Sequence, residues 1–598
     1  MSSRASTPAR RRPPSSAGKA PAAASAPAAR AWRLAAAAAF AVGVLAYANT
    51  LGHGFVWDDP IWLDQKLRFY RSPLDAFFEP EFMPMRQVYR PLSQLTYWID
   101  LSLWGRNAFG FHLTSVLMHA LNGALLVRLG RALGFRSAAA LAAAVLFLVH
   151  PIQPESVAWI TNRVDILATI FVLLTLLGSW RSVSATTLAL VAAASFAAAA
   201  SKETGCVVPA LVAAAVAWVR PRHSGESLRT VALLPLASLA GIVPYFLLRP
   251  EVAGIGVPLD SLGRETLGRL VGSFGYQVSR LLAPIGFAPY VAHVPENAAT
   301  LAAAAFGAVA AGFGVLAPDA GGRRRFALAW LLVAAALPVL AAIADFTSVP
   351  VAEHRLYLAV GGLALLAGTG LERWRPATTT TYGALAVAAA LAVVAAVTIR
   401  RNEYWRDELT LWRAVVAGTS DEPAPYMNLG LALAAAGRSA EAEAAYRRAL
   451  ALAPSDLTRQ RTCIDLGLVL VERGELAEAE ELFTAANRIG GHAVAYRGLA
   501  LVARRRGQAA QRRGDIATAE SEQQRGLAAV QRALAINPRY PQGYATLAGI
   551  LYDAGRYRDA LRNYQQAAAI AGDDAVGREA AANARQLGDW LATHPEAP

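Results

Sequence analysis

The chain has 598 residues, of which 55% are hydrophobic and only 17% are charged. Its mean hydropathy is positive, which excludes a string of ordinary soluble domains and indicates a protein that crosses a membrane several times. The net charge of +14 is unevenly distributed, so it indicates membrane orientation rather than nucleic-acid binding. The two cysteines, Cys206 and Cys463, form no disulfide framework and fit no metal-ligand spacing.

The first residues predict a basic tail. Residues 1–31 are rich in Pro, Ser, Ala and Arg and contain no acid. They cannot bury enough apolar surface to fold, so we expect a disordered cytoplasmic segment. The apolar run from Leu34 to Tyr47 could be the core of a cleaved signal peptide. An uncleaved signal anchor is the preferred interpretation because more apolar runs follow.

Residues 32–400 are predicted to form a polytopic membrane domain. Apolar runs of membrane length begin near residues 33, 111, 138, 164, 184, 205, 230, 299, 326, 355 and 379. A weaker candidate covers about 268–288, and counting it as a span would place the arginines at 323–325 outside. As an interfacial or re-entrant helix it leaves eleven spans. This odd number places residue 401 and beyond on the same outer side as the first outer loop, 50–110.

From residue 401 to residue 598 the pattern changes to an amphipathic repeat. The segment PYMNLGLALAAAGRSAEAEAAYRRALALAP places Gly430, Gly437 and Tyr446 at tetratricopeptide spacing. The spacing recurs further along, with one unit lengthened between residues 500 and 533, and about four units are predicted. Such arrays stack into a curved surface that binds peptides or proteins and seldom catalyse reactions themselves.

Two adjacent acids open the first outer loop. In GHGFVWDDPIW, Asp58 and Asp59 follow the first apolar run and are surrounded by aromatic residues. Charged residues near membrane level are costly and usually functional, and a carboxylate there can take the proton of an attacking hydroxyl. In YRPLSQLTYW of the same loop, the guanidinium of Arg90 suits a phosphate group. A snorkelling interfacial arginine is the competing interpretation of Arg90.

Polar residues recur at the outer ends of later spans. His112 and His119 lie in FHLTSVLMHALN, where a single buried histidine is more often structural than a ligand. The other outer loops carry mixed clusters: His150, Glu155, Arg163 and Asp165, then Lys202 and Glu203, then Glu353, His354 and Arg355. Any one cluster could be interfacial, but four outer loops of this kind predict one shared polar cavity. No zinc-type helix motif, glycine-rich phosphate loop or serine elbow accompanies them.

The motifs occur in one order along the chain from about residue 45: FVWDD, YRPLSQLTY, FHLTSVLMHALN, HPIQPESVAWITNRVDILA, SKETG, AEHRLYL and RNEYWRDELTLW, then the repeats. In this order the chain resembles the transmembrane and tetratricopeptide-repeat O-mannosyltransferases, which are C-type glycosyltransferases related to protein O-mannosyltransferases. The resemblance implies an all-α fold with a multi-span helical core followed by an α-solenoid. It also implies an inverting transfer from a polyprenyl-phosphate sugar to a protein hydroxyl.

Carried onto this chain, the resemblance implies Asp58 and Asp59 as the catalytic acids, with Asp58 the first candidate for the base. The cations implied at the donor phosphate are Arg90, Arg163, Lys202 and Arg355. The supporting polar cavity would contain His112, His150, Glu155, Asp165, Glu203, Glu353 and His354. No metal is implied, and the donor is a lipid-linked sugar, with mannose as the expected sugar.

The array is expected to bind the protein acceptor on the outer side. The Ala-, Arg- and Pro-rich composition suggests a bacterial inner-membrane protein with a cytoplasmic N-terminus, a periplasmic array and an undecaprenyl carrier. A eukaryotic member would lie in the endoplasmic reticulum membrane and use dolichyl-phosphate mannose. Two other classes stay open: a non-catalytic membrane scaffold for envelope assembly, and a transporter, which would place charges mid-span.

Overall fold

The computed structural model describes residues 26–65, 70–78, 89–249, 276–277, 279–284, 322–323, 326–327, 330, 352–373, 380–418, 421–452, 454–572 and 574–597. Within these ranges every regular element is a helix. Most of the predicted basic tail lies outside the described residues, and the first helix already begins at Ala26, before the predicted boundary at residue 32. The predicted apolar run near residue 299 also lies outside the described residues. Of the run near residue 326, only residues 326, 327 and 330 are described.

The apolar half contains thirteen helices in its described residues. They are α1 (Ala26–Ala46), α2 (Asp59–Gln65), α3 (Asp75–Phe78), α4 (Pro91–Trp104), α5 (Ala108–Ala132), α6 (Ser137–Val149), α7 (Pro154–Val157), α8 (Arg163–Ser179), α9 (Ala185–Ser201), α10 (Val208–Trp218), α11 (Leu228–Leu248), α12 (Tyr357–Arg373) and α13 (Thr381–Asn402). Short 3-10 turns at Ala48–Gly52, Ile160–Asn162, Glu203–Val207, Glu353–Leu356 and Glu403–Trp405 connect them.

Five helical segments of the described chain are long and apolar enough to cross a bilayer. They are Ala29–Ala46, Ala108–Ala132, Ile160–Ser179, Leu228–Leu248 and Thr381–Trp405. Three shorter apolar helices, Ser137–Val149, Ala185–Ser201 and Glu203–Trp218, coincide with further predicted runs. The predicted class, a multi-helix apolar core followed by a helical solenoid, is confirmed, whereas the number of eleven spans stays a prediction.

Small residues let the apolar helices approach closely. Helices α1, α5 and α6 pack on one another, and α8, α9 and α11 continue the same core. A Cβ atom built at Gly43 of α1 would lie 2.8 Å from the Cα atom of Ala120 in α5, so only glycine fits there. Small side chains at such crossings are typical of helices that pack within a membrane, where close van der Waals contact drives association.

The described helix ends define two opposite faces of the bundle. At one face, the side chain of Asn402 at the end of α13 donates to the carbonyl oxygen of Ala46 at the end of α1, 2.9 Å away. At the other, the backbone N–H of Arg136 donates to Glu372 at 2.8 Å, and buried Arg220 donates to Ser179. The second face carries the basic connections that the sequence predicts to be cytoplasmic.

The C-terminal half begins with α14 and continues as four helical hairpins and a final helix. These helices are α14 (Glu408–Gly418), α15 (Pro423–Ala435), α16 (Ser439–Ala451), α17 (Asp456–Arg473), α18 (Leu476–Ile489), α19 (Ala493–Arg512), α20 (Ile516–Ile536), α21 (Pro541–Asp553), α22 (Tyr557–Ala571) and α23 (Ala575–Thr593). The third hairpin has helices of 20 and 21 residues, whereas α15 and α16 have 13 each. The lengthening seen in the sequence therefore extends both helices of one hairpin.

Glycines at the hairpin turns provide a test of this repeat geometry. Gly474 ends α17 with a φ of +85°, and a Cβ atom there would meet no atom within 4 Å. We expect Gly474→Ala to destabilise the array by about 1–2 kcal/mol, because only backbone strain opposes the methyl group. The measurement is the protease resistance of the array in the solubilised full-length protein at increasing urea concentrations.

The matched control is Gly490→Ala. The backbone of Gly490 is extended, with a φ of −175°, and the added methyl group would meet the Gln460 side chain at an ordinary 3.5 Å. This control should be neutral or slightly stabilising, because alanine lowers the entropy of the unfolded chain. Equal losses in both variants would contradict a strained turn at Gly474.

Candidate functional site

Asp59 connects the first outer loop to the start of α8. Its Oδ2 atom accepts the backbone N–H of Val56 at 3.0 Å. Its Oδ1 atom accepts both the backbone N–H and the hydroxyl of Thr161, at 2.8 and 2.5 Å. The residue is 2% exposed, whereas neighbouring Asp58 is only half-buried. Both Asp59 oxygens are therefore used for structure, and Asp58 is the more accessible acid of the pair.

Burial raises the pKa of Asp59 to about 7. The hydrogen bonds from Thr161 and Val56 oppose this shift, and the negative charge of Asp58 adds a smaller contribution in the same direction as burial. The two neighbouring acids thus have different environments, although the sequence presents them as a symmetrical pair.

The residue before the acid pair has an unusual backbone conformation. Trp57 has a φ of +56° and is the one non-glycine residue with positive φ in the described part of the chain. For a bulky residue this conformation costs on the order of 1–3 kcal/mol, so surrounding contacts must maintain it. Because Trp57 precedes Asp58 directly, its conformation sets the direction in which the acid pair leaves the loop.

A tryptophan stack, formed by Trp57, Trp159, Trp405 and Trp412, surrounds this strained residue. The Trp57 and Trp159 rings are parallel within 4°, with centroids 4.5 Å apart, and Trp405 stacks on Trp159 at 5.5 Å. Trp412 meets Trp57 edge to face at 5.1 Å. Aromatic pairs of this kind contribute about 0.5–1.5 kcal/mol each beyond their burial, enough together to offset the strain at Trp57.

Arg90 forms a bidentate ion pair with Glu203. Its Nη2 atom donates to Glu203 Oε2 at 2.9 Å, and its Nε atom is 3.0 Å from Oε2 and 3.3 Å from Oε1. The two side chains are 25% and 35% exposed. Adjacent Lys202 contacts Asp165 at 2.6 Å, and both of these side chains are almost fully buried. The first, second and third outer loops therefore meet through two ion pairs, of which only the first is accessible.

The later outer motif joins the same group. His354 Nδ1 lies 2.7 Å from Glu155 Oε1, and the His354 backbone N–H donates to the other oxygen at 3.2 Å. Burial raises the pKa of Glu155, and half-buried Arg355 lies within electrostatic range of Glu155, Arg90 and Asp165. We refer to the polar cluster below as the group Arg90, Glu155, Asp165, Lys202, Glu203, His354 and Arg355.

Arg163 is completely buried and occupied by structural partners. Its Nη1 atom lies 2.5 Å from Asp100, and it donates to the Ser115 hydroxyl at 3.0 Å and to the Phe111 carbonyl at 2.6 Å. Its guanidinium also lies 5.0 Å from the centroid of the Tyr97 ring. Arg163, which the sequence predicts to bind the donor phosphate, therefore packs inside the bundle in this structure and has no exposed surface.

The remaining predicted residues lie at the margins of the polar cluster. Glu353 pairs with Arg280, whose Nε atom is 3.0 Å away, and with Arg401. His112 contacts the carbonyl oxygen of Gly54 at 3.3 Å, and His150 contacts that of Leu281 at 3.1 Å. These side chains hold connecting segments together at the end of the bundle that carries the acid pair.

Sequence reasoning missed several members of this site. They are Asp100, Arg280, Arg401 and Glu408, which contact Arg163, Glu353 or the tryptophan stack. Arg280 lies in the weak apolar candidate at about 268–288, where a charge in an apolar stretch was an available signal. Asp100 is a single acid in an apolar stretch, whereas Arg401 and Glu408 belong to the motif RNEYWRDELTLW. Sequence spacing does not indicate the partners of any of the three.

A small cavity lies beside Asp59. It is lined by Asp59, Trp62, Leu63, Tyr97, Phe111, Ile160 and Thr161. Its volume of about 10 Å³ has room for one water molecule and not for a sugar. The hydroxyl of Tyr97 in its wall donates to the carbonyl oxygens of Ile160 and Thr161, at 3.1 and 2.8 Å. This contact joins α4, the helix that Arg90 precedes, to the segment that holds Asp59.

Comparison with known proteins supports the resemblance. The chain is 34% identical over 146 residues to protein O-mannosyl-transferase TMTC2 of Mus musculus, covering 23% of this chain and 17% of that protein. It is 36% identical over 144 residues to Tmtc2 of Drosophila melanogaster, covering 23% and 15%. It is 31% identical over 159 residues to TMTC4 of Homo sapiens, covering 23% and 22%. The resemblance read from the motifs is confirmed, and the match spans less than a quarter of each of these relatives.

The repeat prediction is also supported. The tetratricopeptide repeat family model matches residues 423–456, which contain α15 and α16. Among solved structures, the chain is similar to YrrB, described as a TPR protein with an unusual peptide-binding site. That match has 18% identity and a TM-score of 0.21, and it covers 31% of this chain and 97% of that one.

The buried pair of Arg163 and Asp100 provides a test of structural against ligand-binding roles. Arg163→Leu leaves a buried carboxylate without its partner and should reduce stability by about 3–5 kcal/mol. Adding Asp100→Leu removes that charge and should restore folding. The measurement is the fraction of monodisperse protein after solubilisation, followed by size-exclusion chromatography.

The control is Arg136→Leu, whose partner Glu372 is on the opposite face and whose ion pair is partly exposed. Its loss should change the monodisperse fraction little, because exposed pairs contribute about 0–1 kcal/mol. A double variant of Arg163 and Asp100 as poorly folded as Arg163→Leu alone would contradict the paired-charge interpretation.

The raised pKa of Asp59 predicts a specific dependence of stability on pH. The folded protein keeps this proton up to about pH 7, whereas the unfolded chain releases it near the ordinary value of 3.8. The contribution of Asp59 to stability therefore falls as the pH rises between these two values and is constant above pH 7. Asp59→Asn should remove this part of the slope, measured as the unfolding midpoint against pH.

Asp58→Asn is the matched control, since it removes the neighbouring, more exposed acid. The slope that Asp59 contributes should remain in this variant, slightly reduced because one repulsive charge is gone. An identical pH profile in wild type and Asp59→Asn would show that Asp59 does not carry the shift.

Proposed function

We propose that the chain is an integral membrane glycosyltransferase that moves a sugar from a polyprenyl-phosphate carrier to a protein hydroxyl. The observation that carries the proposal is the meeting of outer-loop acids and cations at one end of the apolar bundle, next to the half-buried Asp58. Similarity to proteins named O-mannosyl-transferases supports the reaction class and mannose as the sugar. A scaffold would need no such collection of acids and cations at one end of the bundle.

Asp58 acts as the base in this proposal. It takes the proton of the acceptor hydroxyl as that oxygen attacks the anomeric carbon of the sugar. The bond from the anomeric carbon to the phosphate oxygen breaks, and the electron pair leaves with the polyprenyl phosphate. Asp59 holds the loop through Val56 and Thr161 and is a positioning residue. A single displacement of this kind inverts the configuration at the anomeric carbon.

Arg90 is the proposed contact for the donor phosphate. Its bidentate geometry suits a phosphate, and it is a partly exposed cation of the cluster, paired with the partly exposed Glu203. A phosphate would replace Glu203 on the guanidinium. Half-buried Arg355 is placed to share this charge, whereas buried Lys202 and Arg163 stabilise the surrounding loops through Asp165 and Asp100.

The array would bind the protein acceptor close to the acid pair. The backbone N–H of Gly54 donates to the Arg406 carbonyl at 3.0 Å, which joins the loop of the acid pair to the segment that leads into the repeats. We assign this face to the periplasm of a bacterial inner membrane, or to the lumen of the endoplasmic reticulum in a eukaryote. The basic connections at the opposite face are consistent with a cytoplasmic location.

Transfer of radiolabel from polyprenyl-phosphate mannose to membrane proteins tests the proposal. Wild-type membranes should incorporate mannose, and Asp58→Asn should reduce the rate by about 10²-fold or more, because an amide cannot accept the proton. The measurement compares initial rates at matched protein levels in membranes that lack other mannosyltransferases.

The matched control is Asp75→Asn, a half-buried acid in the same loop that accepts hydrogen bonds only from its neighbours Arg71 and Ser72 among the contacts described. Its rate should stay near that of wild type. Wild-type transfer that survives Asp58→Asn would remove Asp58 as the base. Absence of transfer from polyprenyl-phosphate mannose, glucose and galactose alike would favour the non-catalytic scaffold.

A further inference from the structure

We propose that the segment after the last apolar helix, residues 403–418, is part of the catalytic apparatus, with Glu408 as a positioning residue for Asp58. This inference rests on the proposed function for its chemistry, while its physical basis is independent of the reaction. The carboxylate of Glu408 receives two hydrogen bonds at once. Its Oε1 atom accepts the Trp57 backbone N–H at 2.6 Å, and its Oε2 atom accepts the Trp412 indole N–H at 2.7 Å.

Hydrogen bonds join the loop of the acid pair to this segment at several points along the loop. Asn49 donates to Glu403 at 2.6 Å and accepts from Asn402 at 2.9 Å. Further along, Gly54 donates to the Arg406 carbonyl, and Trp57 donates to Glu408. The loop and the segment therefore run together from the outer end of α1 to the acid pair.

Apolar packing reinforces these bonds. Val56, Ala158 and three tryptophans of the stack form one buried cluster with Leu411 and Val415 of α14, and partly buried Trp57 packs against it. Ala432 of α15, in the first hairpin of the array, belongs to the same cluster. The array thus packs against the loop residues that precede the acid pair, and a flexible linker is not its one connection to the membrane domain.

The left-handed conformation of Trp57 gives this packing a functional consequence. That conformation is unfavourable for a tryptophan, so it persists only where contacts maintain it. The contacts come from the second outer loop through Trp159 and from the segment after the last span through Trp405, Trp412 and Glu408. Loss of the segment's contribution would let Trp57 relax, and the carboxylate of Asp58 would turn away from its present direction.

Glu408→Gln is the sharpest test, because glutamine preserves the shape of the side chain. The amide of glutamine offers one oxygen and one NH₂ group. Either the Trp57 backbone N–H or the Trp412 indole N–H would therefore face the NH₂ group, which is itself a donor. We expect kcat for transfer from polyprenyl-phosphate mannose to fall about tenfold or more, with the KM for that donor changed less than about twofold. The near-ultraviolet circular dichroism of the stacked tryptophans in the purified full-length protein should weaken in parallel.

Trp412→Phe gives a second, independent variant. It removes the indole N–H, one of the two donors that Glu408 satisfies. In the double variant with Glu408→Gln, the oxygen of the glutamine side chain can therefore turn to the Trp57 N–H. The combination of Glu408→Gln with Trp412→Phe should lower kcat by no more than Glu408→Gln alone, a non-additivity expected only if the two residues act through one contact. The control is Glu441→Gln, an exposed carboxylate of α16 that pairs with Arg438 and Arg413.

The outcomes separate this inference from the proposed function. Unchanged kcat and unchanged dichroism in Glu408→Gln would overturn the inference, and so would a weakened dichroism with full activity. A rise in donor KM with constant kcat would also overturn it, since donor binding rather than positioning would then be lost. Wild-type protein that transfers neither mannose, glucose nor galactose from the polyprenyl phosphate would refute the proposed function. The dichroism would still decide whether Glu408 holds Trp57.

Discussion

Charge pairing in a low-dielectric setting is the constraint on which the acid-pair end of this bundle depends. A charged side chain buried between apolar helices is tolerated only with an opposite charge and hydrogen bonds around it. Here each buried pair joins different segments, as Arg163 with Asp100 and Lys202 with Asp165. The pairs therefore act as cross-links whose breakage leaves an isolated charge, and they hold the outer loops in one arrangement.

This arrangement divides the polar residues by accessibility. The buried pairs are satisfied internally, whereas Arg90 and Glu203 retain partly exposed side chains. The acid pair shows the same division, because Asp59 is used within the loop and Asp58 is half-buried. Residues that can meet a substrate are thus a small subset of those that are charged, and the others keep that subset in place.

The motif residues and the array could be predicted from the sequence because each depends on local patterns. Apolar runs of sufficient length indicate membrane helices, and the spacing around Gly430 and Tyr446 indicates paired repeat helices. From the sequence, Arg90, Lys202 and Arg355 could be predicted to share one polar cavity, but their ion-pair partners could not be predicted. Nothing local distinguishes an arginine such as Arg163, fully buried against Asp100, from one that faces a ligand.

The sequence by itself determined that this chain has an apolar helical core, a basic face opposite its acid pair and a C-terminal repeat array, because composition and periodicity suffice for these. Only the tertiary structure decided which acid of the pair is accessible and what supports it. The contact between Trp57 and Glu408 joins residues 351 positions apart in the chain. Such a contact depends on how α1 and α13 pack at their outer ends, and no short-range pattern encodes that packing.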